Sequence, residues 1–299
     1  MDFKNRPFQF FVLLVLGMTW GSSFILMKKG LDAFSPFEVA RWRMVFGAAI
    51  LLPFLLRHWS GINKTAWLWL LAAGFIGSGI PAVLFAAGIT RIDSSLAAII
   101  NSTAPLFTLL VGLAFFKLQV SWKGALGIGI GLAGTIFLIA SQKKVHADIS
   151  TLYFALMPLL GSICYGFSTN IIKSKLNQQP AVVISGGALF VVGLPALISL
   201  ALDGSLNALQ SDSARQSSLV YIALLGVIGT GIAVLVFNYL IKQTTVLFAA
   251  SVTYLIPVFA LIWGWVLNED LNPSVFIGMG IIFFGVYLVN RKKRTKSLL

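Results

Sequence analysis

Residues 74–80 read GFIGSGI and residues 226–232 read GVIGTGI, one small-residue phrase written twice, 152 positions apart. Three glycines in seven residues do not serve helix propensity, since each costs about 1 kcal/mol relative to alanine in a helix interior. They either bind something or let another backbone come close. The solvent around the chain decides which.

That solvent is lipid. Hydrophobic residues make up 58% of the 299-residue chain and charged residues only 10%, with a mean hydropathy of +0.92. A soluble domain carries about 25% charged residues. The net charge of +13 comes from short basic groups between apolar runs, not from a continuous stripe. This pattern excludes a nucleic-acid partner and is how membrane topology is written. Cys164 is the only cysteine, and His58 and His146 are the only histidines. No disulfide, metal site or cofactor is expected from them.

A membrane-spanning helix needs about 20 mostly apolar residues. Ten such stretches are expected, at about 8–28, 36–57, 66–89, 94–116, 122–141, 152–173, 181–202, 218–241, 246–267 and 274–290. Ser35-Pro36 and Asn272-Pro273 put proline at a first helical position, and Asp93 is placed to cap the fourth span. Fourteen basic residues fall on the side of the termini and six on the other, with Arg41 and Arg43 inside the second span. Basic loops favour the cytoplasm, so both termini of this plasma (inner) membrane protein are expected there.

The repeat extends beyond its opening phrase. The same offset pairs Phe85 with Phe237, Ala97-Ala98 with Ala249-Ala250, and Pro105 with Pro257, while WGSS (20–23) resembles YGFS (165–168) at a different offset. The halves are residues 1–146 and 147–299, with five spans each. Five is odd, so the second copy runs through the membrane upside down. The expected fold class is an all-α integral membrane protein of ten transmembrane helices in two inverted five-helix repeats. Transporters use this arrangement and hold substrate near the midplane between repeats.

It also interprets the glycines. In lipid, helices associate through close packing, which small residues permit. Gly77, Gly79, Gly229 and Gly231 are therefore read as packing or hinge positions, together with the helix-breaking Pro105 and Pro257. Gly129-Ile-Gly131-Leu-Ala-Gly134 matches the dinucleotide fingerprint, but it lies inside the apolar run GALGIGIGLAGTIFLIA (124–140) with no strand before it. It too reads as helix packing.

WGSSF (20–24), the spacing from Pro36 to Arg43, the proline-centred fourth and ninth spans, and NEDLNP (268–273) followed by Gly278 and Gly285 occur in one order along the chain. Together they resemble the drug/metabolite transporter superfamily, specifically its EamA-like ten-span members, over nearly the whole chain. The resemblance implies a transporter of small organic solutes, often an exporter of amino acids or other metabolites.

Polar side chains deep in a span are costly and mark sites. Asn101 and Thr253 stand where Pro105 and Pro257 each free a carbonyl, and Trp20, Tyr165, Asn238 and Tyr254 lie away from span ends. These six are the substrate-binding candidates. Glu38, Arg41 and Arg43 are candidates for gating or coupling, with Glu38 and Arg41 spaced to pair. No catalytic constellation exists, so an enzyme is not expected.

The reading is a secondary transporter working by alternating access. Its expected cargo is amino acids with aromatic, hydrophobic or neutral side chains, or related amphipathic compounds, moved outward. A sugar-phosphate or nucleotide-sugar exchanger and a channel-like uncoupled pore are the alternatives; the first would want midspan Lys/Arg clusters and the second a filter motif. The partners are a small-molecule substrate and the lipid bilayer, and a monomer is the simplest assembly. Glu38 is the only acidic residue inside a span, which favours facilitated movement over proton coupling.

Overall fold

The structure is a computed structural model that describes residues 5–92, 94–140, 149–266 and 274–290. Asp93, His146, the NEDLNP stretch with Glu269 and Asp270, and the basic C-terminal cluster lie outside the described residues. The first half contains α1 (Arg6–Gly30), α2 (Pro36–Leu56), α3 (Lys64–Gly88), α4 (Ser94–Asn101), α5 (Ala104–Phe115) and α6 (Trp122–Ala140). The second contains α7 (Ile149–Lys175), α8 (Ala181–Leu202), the short α9 (Ser205–Ser211), α10 (Ser213–Gln243), α11 (Val246–Ala250), α12 (Leu255–Val266) and α13 (Ser274–Asn290).

Local chemistry sets the boundaries. Ser35 and Glu38 form a reciprocal capping box at the start of α2, with Pro36 in its first turn. Asn63, Asp212 and Thr245 accept backbone N–H bonds that open α3, α10 and α11. Among the described residues no strand occurs, and seven helices are long and apolar enough to cross a membrane. Two shorter apolar helices cover 246–260 and 277–289. Large apolar side chains such as Leu68, Phe115, Leu202 and Phe284 point outward. The molecule is an all-α integral membrane protein.

Apart from the short α9, the helices of the two halves correspond. The helices α1 and α7 end 145 positions apart, at Gly30 and Lys175, and α2 and α8 begin 145 apart, at Pro36 and Ala181. The starts of α4 and α11, Ser94 and Val246, are 152 apart. Each half also interrupts two helices at matched places. The two glycine phrases form π-helical turns, Phe75–Gly79 inside α3 and Leu225–Ile232 inside α10. The fourth span breaks between α4 and α5, and the ninth passes through a 3-10 turn at Ser251–Tyr254. Hydroxyls occupy carbonyls around both breaks: Ser102 and Thr103 donate to Ile99 and Ile100 at 2.5 and 2.6 Å. Ser251 and Thr253 donate to Phe248 and Ala250 at 2.6 and 3.0 Å.

The glycines show what the interruptions accomplish. A Cβ on Gly77 would strike the Ser168 hydroxyl of α7, and one on Gly74 the Ala188 carbonyl of α8. In the other half, a Cβ on Gly229 would lie 2.7 Å from the Ser23 hydroxyl of α1, and one on Gly226 2.9 Å from the Arg43 carbonyl of α2. Gly79 and Gly231 complete the two seams, at 3.2 Å from Val192 Cγ1 and from the Gly47 carbonyl. Each third span thus packs on the first two spans of the opposite half, and the halves share one core. The GxGxxG stretch is a seam as well. Gly127, Gly131 and Gly134 on α6 meet α13, where a Cβ on Gly285 would lie 2.6 Å from the Gly131 nitrogen.

Overpacking of this kind costs about 1–3 kcal/mol. Gly226→Ala and Gly285→Ala are therefore expected to lower the unfolding temperature of the detergent-solubilised protein. Gly129→Ala, which meets nothing within 4 Å, should leave it unchanged or raise it. Equal stability of all three variants would remove backbone approach as the reason for the glycines.

Candidate functional site

The interruptions converge on one cavity, which encloses about 1110 Å³ of space including its mouth. Its lining residues fall into pairs related by the repeat: Trp20 with Tyr165, Ser23 with Ser168, Arg43 with Ala188, Ser78 with Thr230, Phe85 with Phe237, and Asn101 with Thr253. The cavity therefore lies between the two halves, on the line that relates them. Five aromatic side chains, Trp20, Phe24, Phe85, Tyr165 and Phe237, stand in its wall. Tyr165 stacks on Phe85 at a centroid distance of 5.8 Å, Phe24 meets Phe85 edge-on at 6.1 Å, and Trp20 meets Phe237 edge-on at 5.2 Å. The Trp20 indole N–H donates to the Gly229 carbonyl in the π-turn, at 2.8 Å, which fixes the ring.

Five of the six residues proposed from sequence as substrate contacts line this space: Trp20, Asn101, Tyr165, Asn238 and Thr253. Two of them hold unspent acceptors. Asn101 and Asn238 are buried, and the Oδ1 atom of each has no hydrogen-bond partner. Asn238 uses its amide nitrogen on Ser185 Oγ, at 2.8 Å. The Tyr165 hydroxyl has no protein partner among the described residues, while Thr253 is turned back onto its own helix.

Tyr254 is a correction. It is fully buried outside the cavity lining, and its hydroxyl donates to the Ile128 carbonyl on α6 at 2.9 Å. The 3-10 turn carries it away from the cavity, and Gly131 makes the room, since a Cβ there would sit 2.6 Å from the tyrosine ring.

The charged trio also separates. Glu38 does not pair with Arg41. The capping box turns its carboxylate back onto Ser35, and its second oxygen accepts from Arg215 at 3.0 Å. Arg41 instead bonds Ser199 at 3.2 Å and pairs with Asp203, at the end of α8. The Ser205 hydroxyl, the Arg41 guanidinium and the Ser205 amide hold the Asp203 carboxyl down to about 2. This pair persists until pH falls toward that value, far below physiological conditions. Only Arg43 reaches the cavity, where its Nε donates to Thr230 Oγ1 at 2.6 Å. Ser23, Ser168, Ser78 and Thr230 were not among the expected contacts, although the repeated phrases that contain them are the available signal.

No group of three or more metal-binding side chains occurs among the described residues. A family model for the EamA-like transporter family matches the chain twice, over residues 8–140 and 152–291. The chain belongs to the EamA-like transporter family. It is 30% identical to the uncharacterized inner membrane transporter YedA of Escherichia coli K12, over 98% of this chain and 94% of that protein. It is 25% identical to an S-adenosylmethionine/S-adenosylhomocysteine transporter of Chlamydia muridarum, over 95% of this chain and 92% of that one. One solved crystal structure shares the fold with a TM-score of 0.72 at 15% identity, covering 95% of this chain and 96% of its own. This EamA-family chain is a multi-pass membrane transporter of small metabolites.

Removing an unpaired buried acceptor should not weaken the fold, whereas losing a substrate hydrogen bond costs about 1 kcal/mol or more. Asn101→Ala is expected to reduce transport affinity several-fold in proteoliposomes while its unfolding temperature stays level or rises. Unchanged transport kinetics would make the amide a packing element.

Proposed function

We propose that the chain is a secondary carrier working by alternating access, which exports amino acids with aromatic or other apolar side chains, or related amphipathic compounds, across the cytoplasmic membrane. The observation that carries this reading is the paired cavity between two matched halves, with an aromatic cluster in its wall and interrupted helices around it. Such cavities suit solutes with an apolar body and a few polar groups. The Chlamydia relative, whose name specifies an amino-acid derivative joined to an aromatic base, supports the same class. Export follows the resemblance to amino-acid and metabolite exporters. A sugar-phosphate exchanger is less well supported, because among the described residues Arg43 is the one cationic side chain lining the cavity and a phosphate monoester carries about two negative charges.

The two ends of the molecule are unequal, which supports alternation. Lys173, near the end of α7, donates to the carbonyls of Ile241, Lys242 and Thr244 at 2.8, 3.1 and 2.9 Å. This ties α7 to the end of α10. Its repeat mate Lys28, near the end of α1, is exposed and makes no such bonds among the described residues. The matching carbonyls on its side belong to Ile89, Thr90 and Ile92. Alternation exchanges these roles, with Lys28 closing one end as Lys173 releases the other. With the termini in the cytoplasm, the Lys173 end is the cytoplasmic one.

Two measurements test the reading. Preloaded proteoliposomes should show counterflow of labelled phenylalanine or another apolar amino acid, which a channel does not give. Collapsing an imposed pH gradient should barely change it, since no Asp, Glu or His lines the cavity among the described residues and Glu38 is held by Ser35 and Arg215. Accumulation driven by the pH gradient alone would overturn the uncoupled reading. Separately, Lys173→Met should increase cytoplasmic labelling of a cysteine placed at Ser168 in a Cys164→Ala background. Labelling that does not change with Lys173→Met or Lys28→Met would remove both lysines as latches.

A further inference from the structure

Arg43 is a charge without a counter-ion. Among the described residues the ion pairs are Lys29 with Asp32, Arg41 with Asp203, and Arg215 with Glu38 and Asp212; none includes Arg43. No Asp or Glu lines the cavity among the described residues. An unpaired guanidinium within a membrane protein is expensive, and such charges mark substrate or ion pathways. Arg41, two positions earlier, was given an acid. Arg43 was not.

Its geometry is prepared. The π-turn brings Thr230 Oγ1 to within 3.2 Å of the Leu225 carbonyl, five residues back, so the threonine hydroxyl donates there and accepts from Arg43 Nε. That bond consumes one N–H and fixes the guanidinium plane. The Nη1 and Nη2 groups make no hydrogen bond to the protein among the described residues. This leaves the flat terminal edge of the fork, which matches a carboxylate in a bidentate pair. Tyr165 lines the same cavity, its ring stacked on Phe85, which in turn meets Phe24. The repeat mate of Arg43 is Ala188, also in the lining. The cavity's polar pairs are therefore matched across the pseudo-two-fold, but the charge of Arg43 is not.

We infer that Arg43, oriented by Thr230, is the subsite for a single carboxylate of the transported solute, and that Tyr165, Phe85 and Phe24 receive an apolar or aromatic body joined to it. This deepens the carrier reading and rests on it for the word "transported". The ligand class is monocarboxylates with a large apolar body, α-amino acids among them. One guanidinium and no lysine in the lining among the described residues fit one negative charge, so phosphate esters and dicarboxylates are poor ligands. Because Ala188 offers no second cation, the solute binds in one orientation rather than two. Arg43 touches the ligand; Thr230 is a positioning residue.

The test pairs each acid with its uncharged isostere. Binding of 3-phenylpropionate and 3-phenylpropanamide, and of L-phenylalanine and L-phenylalaninamide, is measured on the purified full chain in nanodiscs by intrinsic tryptophan fluorescence and by thermal unfolding. Each acid is expected to bind tighter than its amide by about tenfold or more, the range of a charge-assisted bidentate hydrogen bond. Arg43→Gln should abolish that preference, and Arg43→Lys should keep part of it. Thr230→Val should reduce it and Thr230→Ser should restore it, which a purely structural threonine would not do. A monodisperse Arg43→Gln protein that still prefers the acids overturns the subsite, as does a wild type that binds the amides equally well. If Arg43→Gln does not fold, the acid preference in Arg43→Lys and Thr230→Val decides. Proteoliposomes separate the two readings. Acid binding through Arg43 without transport of either acid overturns the carrier reading alone, and transport with an unchanged affinity in Arg43→Gln overturns the subsite alone.

Discussion

Close backbone approach in lipid is the constraint on which the rest of the structure depends. Lipid tails are as apolar as leucine, so burying hydrophobic surface does not hold spans together, and packing at short range must. The chain meets this with glycines at the crossings. Gly74 and Gly77 lie against the Ala188 carbonyl and Ser168, and Gly226 and Gly229 against the Arg43 carbonyl and Ser23. These contacts all run from one half to the other. Because the third span of each half is seated on the first two spans of its partner, the halves cannot separate, and the space between them becomes the cavity.

The same crossings explain why the cavity is chemically active. A π-turn or a broken span redirects backbone carbonyls and small hydroxyls from the intrahelical ladder toward the space between the halves. The Gly229 carbonyl receives the Trp20 indole, and Thr230 receives Arg43. The fourth-span break leaves Asn101 with a free acceptor. Packing and binding thus share residues. A glycine that lets two helices approach is one or two positions from the side chain that the approach presents to the cavity.

Symmetry of fold coexists with asymmetry of chemistry. Matched positions carry Arg43 and Ala188, Trp20 and Tyr165, Asn101 and Thr253. Duplicated architecture supplies two related ways of packing, and the unequal side chains set the Arg43 guanidinium opposite Ala188. The lysines repeat the theme, with Lys173 engaged on three carbonyls and Lys28 exposed.

The sequence by itself determined the solvent, several helix starts and the duplication. Apolar run length, capping residues and proline positions are local quantities, and they placed α2, α8 and α11 at starts the structure reproduces. The repeated glycine phrases announced close packing, because in lipid small residues that let backbones approach offset their lost helix propensity. Which side chain faces which neighbour was not local. Tyr254 lies one residue from a cavity-lining threonine, yet a 3-10 turn and the gap above Gly131 send its ring to α6. Glu38 and Arg41 have the spacing of an ion pair, but their partners, Arg215 and Asp203, come from the other half of the chain. Arg43, inside the second span, reads from sequence as a gating or coupling candidate, but only the tertiary structure brings Thr230 of the π-turn against it. Helix periodicity fixes a residue's angle around its own axis; only the packing of the halves decides what stands opposite.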